Sequence, residues 1–314
     1  MEKQIAKVTH IPSGIMTKDK SKKLLNIYNE MKKSVIGQDN AIDHIADALK
    51  RAGAGIRNGE KPIASFLFVG TTGVGKTETA KTLSGTYFGD RKTMIRLDMS
   101  EYQTQNSISR LIGNPNNNST GILTEQVRDK PFSVILLDEI EKAHPHILLT
   151  FLQVLDDGRL TQSDGRVIDF TNTIIIATSN VGTKDIQVIT QRNGTYEEIE
   201  KAAMVKVREK FAPEFLNRFN AIIVFNPLKI NDIKRISLIM LNKVKLMVKE
   251  KNIDLSFSDE LISELAERGY NPEWGARPMA RTIEDNIETY LAEKLLMGEM
   301  KQGDVVKLGT EVFK

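Results

Sequence analysis

The chain has 314 residues, of which 40% are hydrophobic and 27% are charged. This length and composition are typical of a globular protein with room for two domains, each with its own core. The formal net charge is only +3, from 44 basic and 41 acidic side chains, and this weak bias argues against nucleic acid or a membrane surface as a partner. There is no cysteine, which excludes disulfides and thiolate metal sites.

The N-terminal sequence, MEKQIAKVTHIPSGIM, lacks the apolar run of a signal peptide. We find no apolar stretch anywhere in the sequence that is long enough to span a bilayer. We therefore expect a cytoplasmic protein.

The most specific motif is G-x-x-x-x-G-K-T, which runs from Gly70 to Thr77. Residues 66–69 before it are apolar and predict a buried strand, and a helix is expected from Thr77 onward. The glycines let backbone N–H groups surround phosphate oxygens at a helix N-terminus, so Lys76 is expected to reach the β- and γ-phosphates of ATP and Thr77 to hold Mg²⁺. A glycine turn with an incidental lysine is the alternative interpretation. The candidate nucleotide-binding residues of this segment are Gly70, Thr71, Thr72, Gly73, Val74, Gly75, Lys76, Thr77 and Glu78.

Two carboxylates follow a second apolar run. In SVILLDEIEKAHP, residues 134–137 predict a buried strand, and Asp138 and Glu139 come directly after it. Nucleotides bind beyond the carboxyl ends of parallel strands in open α/β folds. We expect Asp138 to anchor Mg²⁺ through water and Glu139 to polarise the attacking water. Because acidic residues are also favoured at helix N-termini, a solvated helix start is the alternative.

A third apolar run, TIIIATSN, ends at Asn180, which at a strand tip is expected to orient the water between Lys76 and Glu139. The runs TMIRLDM and AIIVFNP bring the number of predicted strands to five, separated by helical segments. This alternation predicts an α/β fold with a doubly wound, parallel, five-stranded P-loop sheet. After Pro227 the apolar residues follow helical spacing, and IDLSF and DVVKLG predict a pair of short strands. The sequence thus predicts an NTP hydrolase with a smaller, mainly helical C-terminal domain.

Seven segments spread over nearly the whole chain resemble the AAA-plus ATPases, and specifically the second nucleotide-binding module of the Clp unfoldases and disaggregases. These segments are VIGQDNAI, GTTGVGKTETAK, IRLDMSEY, VILLDEIEKAHP, LQVLDDGRLTQSDGRVIDFTNTIIIATSN, FAPEFLNRF and GARPMARTIE. The family usually has proline where Thr71 stands. The resemblance implies ATP and Mg²⁺ as cofactors, a homo-hexameric ring, and unfolded or aggregated proteins as substrates.

The resemblance also assigns roles to four residues. Val35 and Ile36 would line the adenine pocket, Arg218 would be an arginine finger that reaches the nucleotide of a neighbouring subunit, and Arg277 would contact phosphate from the small domain. The alternatives are core packing for the first two and structural or surface roles for the arginines. The implied organisation is a linker at residues 1–20, a large nucleotide-binding domain at 21–226, and a helical lid domain at 227–314.

The clearest departure from the family follows RLIG, where Clp modules carry an aromatic pore loop that grips the translocating polypeptide. Here the segment is NPNNNSTG, with Asn116, Asn117 and Asn118 and no aromatic residue. Polar side chains bury little apolar area, so they grip weakly. Either the second axial loop, GRLTQSDGRVID, handles substrate, or the chain is an assembly or scaffold ATPase that does not thread polypeptide.

Two further expectations concern partners, and a third concerns the kind of ATPase to which the chain belongs. The region after Asn180 lacks the tripeptide with which Clp proteins dock on the ClpP peptidase, so no such peptidase is expected. A DNA-handling AAA-plus protein is disfavoured by the charge balance. The chain resembles either a fragment of a tandem ATPase or a free-standing one-ring relative.

Overall fold

The computed structural model describes residues 20–114, 119–162, 164–272 and 274–313. The chain divides into two units, one of Met1–Gly70 with Gly75–Phe225 and the other of Thr71–Val74 with Asn226–Lys314. The linker expected at residues 1–20 therefore lies outside the described residues except at Lys20. Asn116, Asn117 and Asn118 also lie outside them.

The larger unit is built on a parallel sheet. Its described strands are β1 Ala64–Val69, β2 Ile95–Asp98, β3 Gly113–Asn114, β4 Ser119–Thr120, β5 Val134–Asp138, β6 Arg159–Thr161, β7 Val167–Asp169, β8 Ile174–Ser179 and β9 Ala221–Val224. Five of them form one sheet in the order β2-β5-β8-β1-β9, with every neighbouring pair parallel. The five-stranded parallel sheet is thus confirmed. The pairs β3–β4 and β6–β7 are short antiparallel ribbons.

The central strands are apolar because both faces of the sheet are covered. Every residue of β1 and β8 is buried, which is the pattern of a parallel sheet with helices on both sides. Phe66 and Phe68 of β1 have ring centroids 6.1 Å apart, and Phe68 lies 5.0 Å from Phe225. Burial of each such side chain contributes about 1.5–3 kcal/mol.

Helices pack around this sheet. The described helices of the larger unit are α1 Lys20–Leu25, α2 Ile27–Lys32, α3 Asp39–Gly53, α4 Lys76–Leu83, α5 Ser107–Ile112, α6 Ile122–Asp129, α7 Pro145–Asp157, α8 Thr183–Gln191, α9 Tyr196–Lys210 and α10 Pro213–Leu216. Their boundaries follow local signals. Helix α7 begins with Pro145, where a missing N–H costs nothing, after His144, whose side chain accepts a hydrogen bond from His146 N.

The smaller unit has its own core. Its described helices are α11 Ile230–Lys249, α12 Asp259–Arg268, α13 Met279–Ile283 and α14 Thr289–Leu296. Strand β10 Asp254–Phe257 pairs in parallel with β11 Val305–Leu308, which confirms the predicted strand pair. Leu241, Leu265 and Ile287 are fully buried in the core of this unit. Within the described parts of both units, no helix has the length and apolar character that crossing a membrane requires.

Candidate active site

Three strands of the sheet end side by side. Strand β8 pairs in parallel with both β1 and β5, so the carboxyl ends of all three meet at one edge of the sheet. Strand β1 runs into Gly70, β5 runs into Glu139, and β8 runs into Asn180. This shared edge explains how residues more than a hundred positions apart come together.

The loop between β1 and α4 is shaped for a phosphate group. Gly70 has φ of 154°, and a Cβ there would lie 3.0 Å from the Cβ of Phe225, so a larger residue would not fit. Gly75 has φ of 104° and is the N-cap residue of α4, where a glycine has no side chain with which to cap the helix. Apart from its chain neighbours, no described residue has an atom within 4 Å of the position of a Cβ on Gly75. The start of α4 is the positive end of its helix dipole, where backbone N–H groups favour an anion.

Lys76 is the centre of a hydrogen-bond chain. Its side chain is buried, and Nζ donates to the carbonyl oxygen of Gly70 at 2.6 Å and to Oδ1 of Asn180 at 2.9 Å. Nδ2 of Asn180 donates in turn to Oε1 of Glu139 at 3.2 Å. The backbone N of Asn180 donates to Oε1 of Glu141 at 3.0 Å, which fixes the end of β8. The structure thus places Asn180 between Lys76 and Glu139.

Glu139 lies in an unusual backbone conformation. Its φ of 56° and ψ of 51° are left-handed, a region that residues other than glycine rarely adopt. Its backbone N donates to Oγ1 of Thr178 at 3.1 Å, and Oε2 lies 3.5 Å from Nζ of Lys142. Thr178 could not be recognised from the sequence, because a threonine inside an apolar run is an ordinary strand residue.

Both oxygens of Asp138 are held by protein groups. Oδ1 accepts a hydrogen bond from Oγ1 of Thr178 at 2.5 Å, and Oδ2 accepts one from the Arg96 guanidinium at 2.7 Å. Arg96 could not be recognised either, because an exposed charged residue that alternates with buried ones is ordinary in a strand such as β2. On the same edge, hydrogen bonds from Ser100 hold the pKa of the Asp98 carboxyl below its ordinary value.

The oxygen ligands expected for Mg²⁺ are a hydroxyl and a carboxylate, which are the hard donors that this ion prefers. Thr77 is half-buried in the first turn of α4, next to Lys76. Asp138 ends β5 at the same sheet edge as Gly70. The chemistry of these two groups therefore fits the ion, with Asp138 acting through water.

The remaining residues expected to bind nucleotide have varied settings. Val35 and Ile36 are buried and lie in the segment that connects α2 to α3. Glu78 forms an ion pair with Arg91, with NH1 and Oε1 3.0 Å apart, on the first turn of α4. Thr71, Thr72, Gly73 and Val74 belong to the smaller unit, and Thr71 and Val74 are buried. Arg277 also belongs to that unit, where its exposed side chain precedes α13.

Arg218 lies at the opposite side of the sheet from the phosphate loop, where the parallel strands begin. Its carbonyl oxygen accepts a hydrogen bond from the hydroxyl of Ser65, the second residue of β1, at 3.0 Å. Ser65 and Gly70 are five positions apart, so about 16 Å of extended strand separates this edge from the phosphate loop. Nε of Arg218 lies 2.6 Å from Oδ2 of Asp156, whose Oδ1 lies 3.2 Å from Nζ of Lys61.

Arg218 also lines a pocket of about 260 Å³ in the larger unit, together with three further cationic residues, Arg51, Arg57 and Lys61. The structure therefore does not bring Arg218 to the group formed by Lys76, Glu139 and Asn180 in the same subunit.

Two protein-family models match the chain. The model for the AAA domain (Cdc48 subfamily) matches residues 61–222, and the model for the C-terminal, D2-small domain of ClpB protein matches residues 228–308. The first match lies in the larger unit except for residues 71–74, and the second lies within the smaller unit.

Curated proteins and a solved structure are similar over almost the entire chain. The chaperone protein ClpB of Meiothermus ruber is 46% identical over 98% of this chain and 36% of its own length. The ATP-dependent Clp protease ATP-binding subunit ClpC of Staphylococcus epidermidis is 44% identical over 98% of this chain and 39% of its own length. A closed-state cryo-EM reconstruction of Hsp104 with ATPγS and FITC-casein has a TM-score of 0.86 and 36% identity, covering 99% of this chain and 54% of that chain. The chain therefore spans little more than a third of the length of these two curated relatives.

Proposed function

Because the chain belongs to the AAA family of ATPases, in the branch that contains ClpB and ClpC, we propose that it binds ATP and hydrolyses it at the edge of its parallel sheet. The observation that carries this proposal is the hydrogen-bond chain from Lys76 through Asn180 to Glu139. This chain brings together a lysine that can bind phosphate, an amide that can orient water and a carboxylate that can polarise it. An ATPase needs groups with these tasks close together.

Each side chain has a defined task in this proposal. Lys76 binds the β- and γ-phosphates, supported by the N–H groups at the start of α4. Glu139 polarises the attacking water, and the Asn180 amide orients that water. Bound Mg²⁺, held by Thr77 directly and by Asp138 through water, would supply neutralisation of phosphate charge. Val35 and Ile36 contact the adenine, and Arg277 contacts phosphate from the smaller unit.

We further propose that the active subunits assemble as a ring, with Arg218 completing the site of a neighbour. This is supported by the position of Arg218 beside Ser65, at the sheet edge opposite the phosphate loop. An arginine placed there is too far from its own subunit's nucleotide to neutralise charge in the transition state. A hexamer is the assembly that the family resemblance favours.

The proposed substrates are unfolded or aggregated proteins, in a cytoplasmic setting and without nucleic acid or membrane. Support comes from the similarity to ClpB and from the FITC-casein present with Hsp104. The proposal that no ClpP-type peptidase docks on this chain rests on the sequence after Asn180 alone.

The test of this function is phosphate release measured with casein, with DNA, and without an addition. We expect casein to stimulate turnover and DNA to leave it unchanged. Stimulation by DNA alone, or no turnover under any condition, would contradict the proposal.

A second measurement addresses the asparagine-rich segment. Unfolding of a stable fluorescent reporter is compared for wild type, Asn117→Tyr and Asn117→Ala. Threading through this segment predicts feeble unfolding by wild type and a gain in Asn117→Tyr, because an aromatic side chain buries more apolar area. Absence of unfolding in all three, with turnover intact, would favour an assembly or scaffold ATPase.

A further inference from the structure

We propose that Thr178 is a positioning residue for hydrolysis, and that its hydroxyl holds Glu139 in the conformation in which the carboxylate can act. This inference rests on the proposed ATPase function, because it assigns Thr178 a role through Glu139. Thr178 lies in β8, one residue beyond the last register pair that β8 makes with β5. Beyond this point β5 pairs only with β2, through Asp138 and Asp98, and the chain then turns at Glu139.

The hydroxyl of Thr178 contacts two consecutive residues, Asp138 at the end of β5 and Glu139 in the turn that follows. Oγ1 donates to Oδ1 of Asp138 and accepts from the backbone N of Glu139 at 3.1 Å. The direction of both bonds is set by chemistry, because an ionised carboxylate only accepts hydrogen bonds and a backbone amide only donates them. A hydroxyl has one donor and two acceptor sites, so it meets both demands at once. A methyl group of the same size meets neither.

The surroundings leave no simple substitute for this hydroxyl. Thr178 is 1% exposed, so bulk water does not reach its position. The second oxygen of Asp138 is held by Arg96, which fixes the carboxylate that receives the Thr178 hydrogen bond. Arg96 of the neighbouring strand β2 thus holds Asp138, and Asp138 holds the Thr178 hydroxyl that accepts the hydrogen bond from the Glu139 amide.

Glu139 needs such an anchor because its backbone is left-handed. A glutamate with φ of 56° departs from the regions that side-chain sterics favour, and surrounding bonds must hold it there. The backbone N of Glu139 is bonded to Thr178, and its side chain is bonded to Asn180. Without the Thr178 bond, the turn is free to relax toward an ordinary conformation, which moves the carboxylate away from Asn180.

The experiment compares Thr178→Val, which is nearly isosteric, with Thr178→Ser, which keeps the hydroxyl. In Thr178→Val, kcat should fall on the order of a hundredfold, since a displacement of ~1 Å from productive geometry costs about that much. Affinity for an ATP analogue and KM should stay within about twofold, because Lys76 and the phosphate loop are untouched. Thr178→Ser should retain most of the wild-type kcat.

A second removal variant and a double mutant complete the test. Thr178→Ala removes the hydroxyl without adding a buried methyl group and should lose kcat to a similar degree. When Glu139→Gln already removes the carboxylate, Thr178→Val should cause no further loss in residual turnover at saturating Mg²⁺, where the contact of Thr178 with Asp138 no longer limits the rate and both changes act through residue 139.

The outcomes separate this inference from the function on which it rests. Equal kcat in wild type and Thr178→Val, with Glu139→Gln inactive, would overturn the role of Thr178 and leave the ATPase proposal standing. Loss of nucleotide binding in both Thr178→Val and Thr178→Ala would show that Thr178 supports binding, through the fold or through Asp138, and would also overturn the inference. Turnover by Glu139→Gln equal to that of wild type would instead remove the ATPase assignment itself.

Discussion

Glu139 combines a left-handed backbone with a side chain that is about one-third exposed. Such a backbone costs a non-glycine residue of order 1–3 kcal/mol, which neighbouring interactions must offset. Here the Thr178 hydroxyl, the Asn180 amide and the Lys142 ammonium all contact this one residue. The carboxylate is consequently held in place while it remains accessible to water.

The first prediction concerns this carboxylate. Glu139→Gln keeps the shape and the contact with Asn180 but removes the negative charge that activates water, so ATP binding should persist while turnover falls by a factor of about 10² or more. Lys76→Ala, the comparison variant, should lose ATP binding as well. Fluorescent-nucleotide titration and phosphate release measure the two effects. Equal turnover by wild type and Glu139→Gln would refute the assignment.

At the residue scale, the sequence predicts side chains that follow strands but not those that support them. Lys76, Glu139 and Asn180 are recognisable because each stands in a motif or directly after an apolar run. Thr178 and Arg96 lie inside strands, and β propensity or outward exposure explains them equally well. Their contacts depend on the neighbour relations β2–β5 and β5–β8, which only the folded sheet shows.

The elements of the larger unit were predictable where burial on both sides leaves a continuous apolar run. Four of the five strands of the parallel sheet were found in this way, and β2 was predicted although the exposed Arg96 interrupts its apolar residues. The ends of the strands differ from the predicted runs by up to three residues. Their order was not predictable, because a run such as residues 134–137 does not encode which neighbour it pairs with. The ion pair between Asp156 and Arg218 joins α7 to the turn after α10, and no spacing rule links such distant positions.

The second prediction concerns β1. Phe68 is fully buried between Phe66 and Phe225, so Phe68→Ala should lower the free energy of unfolding of the larger unit by about 3–5 kcal/mol. Val188→Ala is a matched control on α8, because Val188 is 63% exposed and its truncation should change stability by about 0.5 kcal/mol or less. Urea denaturation followed by far-UV circular dichroism makes the comparison. Losses of similar size in both variants would contradict the burial of Phe68 in the core.

For the whole molecule, the two edges of the sheet have separate roles in the proposed function. One edge carries Lys76, Glu139 and Asn180, and the other carries Arg218 next to Ser65. A site divided in this way is complete only when two subunits meet.

The third prediction follows from this division. Arg218→Ala should leave nucleotide affinity nearly unchanged and reduce turnover by on the order of a thousandfold, as expected for an arginine supplied in trans. Arg51→Ala is the control, because it removes a cation from the same pocket without touching Asp156. When Arg218→Ala and Glu139→Gln subunits are mixed, the turnover of the mixture should differ from the weighted mean of the turnovers of the two separate variants.

The fourth prediction concerns concentration. Turnover per subunit should rise with protein concentration, because assembly brings Arg218 to the neighbouring nucleotide. Light scattering on the same samples should show larger particles with ATP than without it. A monomer whose specific turnover does not depend on concentration, and is insensitive to Arg218→Ala, would contradict a shared site.

The carboxylate of Asp156 makes any intersubunit contact through Arg218 an exchange of partners. In the free subunit the guanidinium is already neutralised at 2.6 Å, so binding a neighbour's phosphate means leaving Asp156. A terminal phosphate carries more charge than a carboxylate and competes well, whereas a nucleotide that has lost it offers Arg218 less. Lys61, which contacts the other oxygen of Asp156, stays behind and keeps the vacated carboxylate paired. In the proposed ring, Asp156 would compete with the neighbour's phosphate for Arg218, and ATP hydrolysis in the neighbouring subunit would return the guanidinium to Asp156.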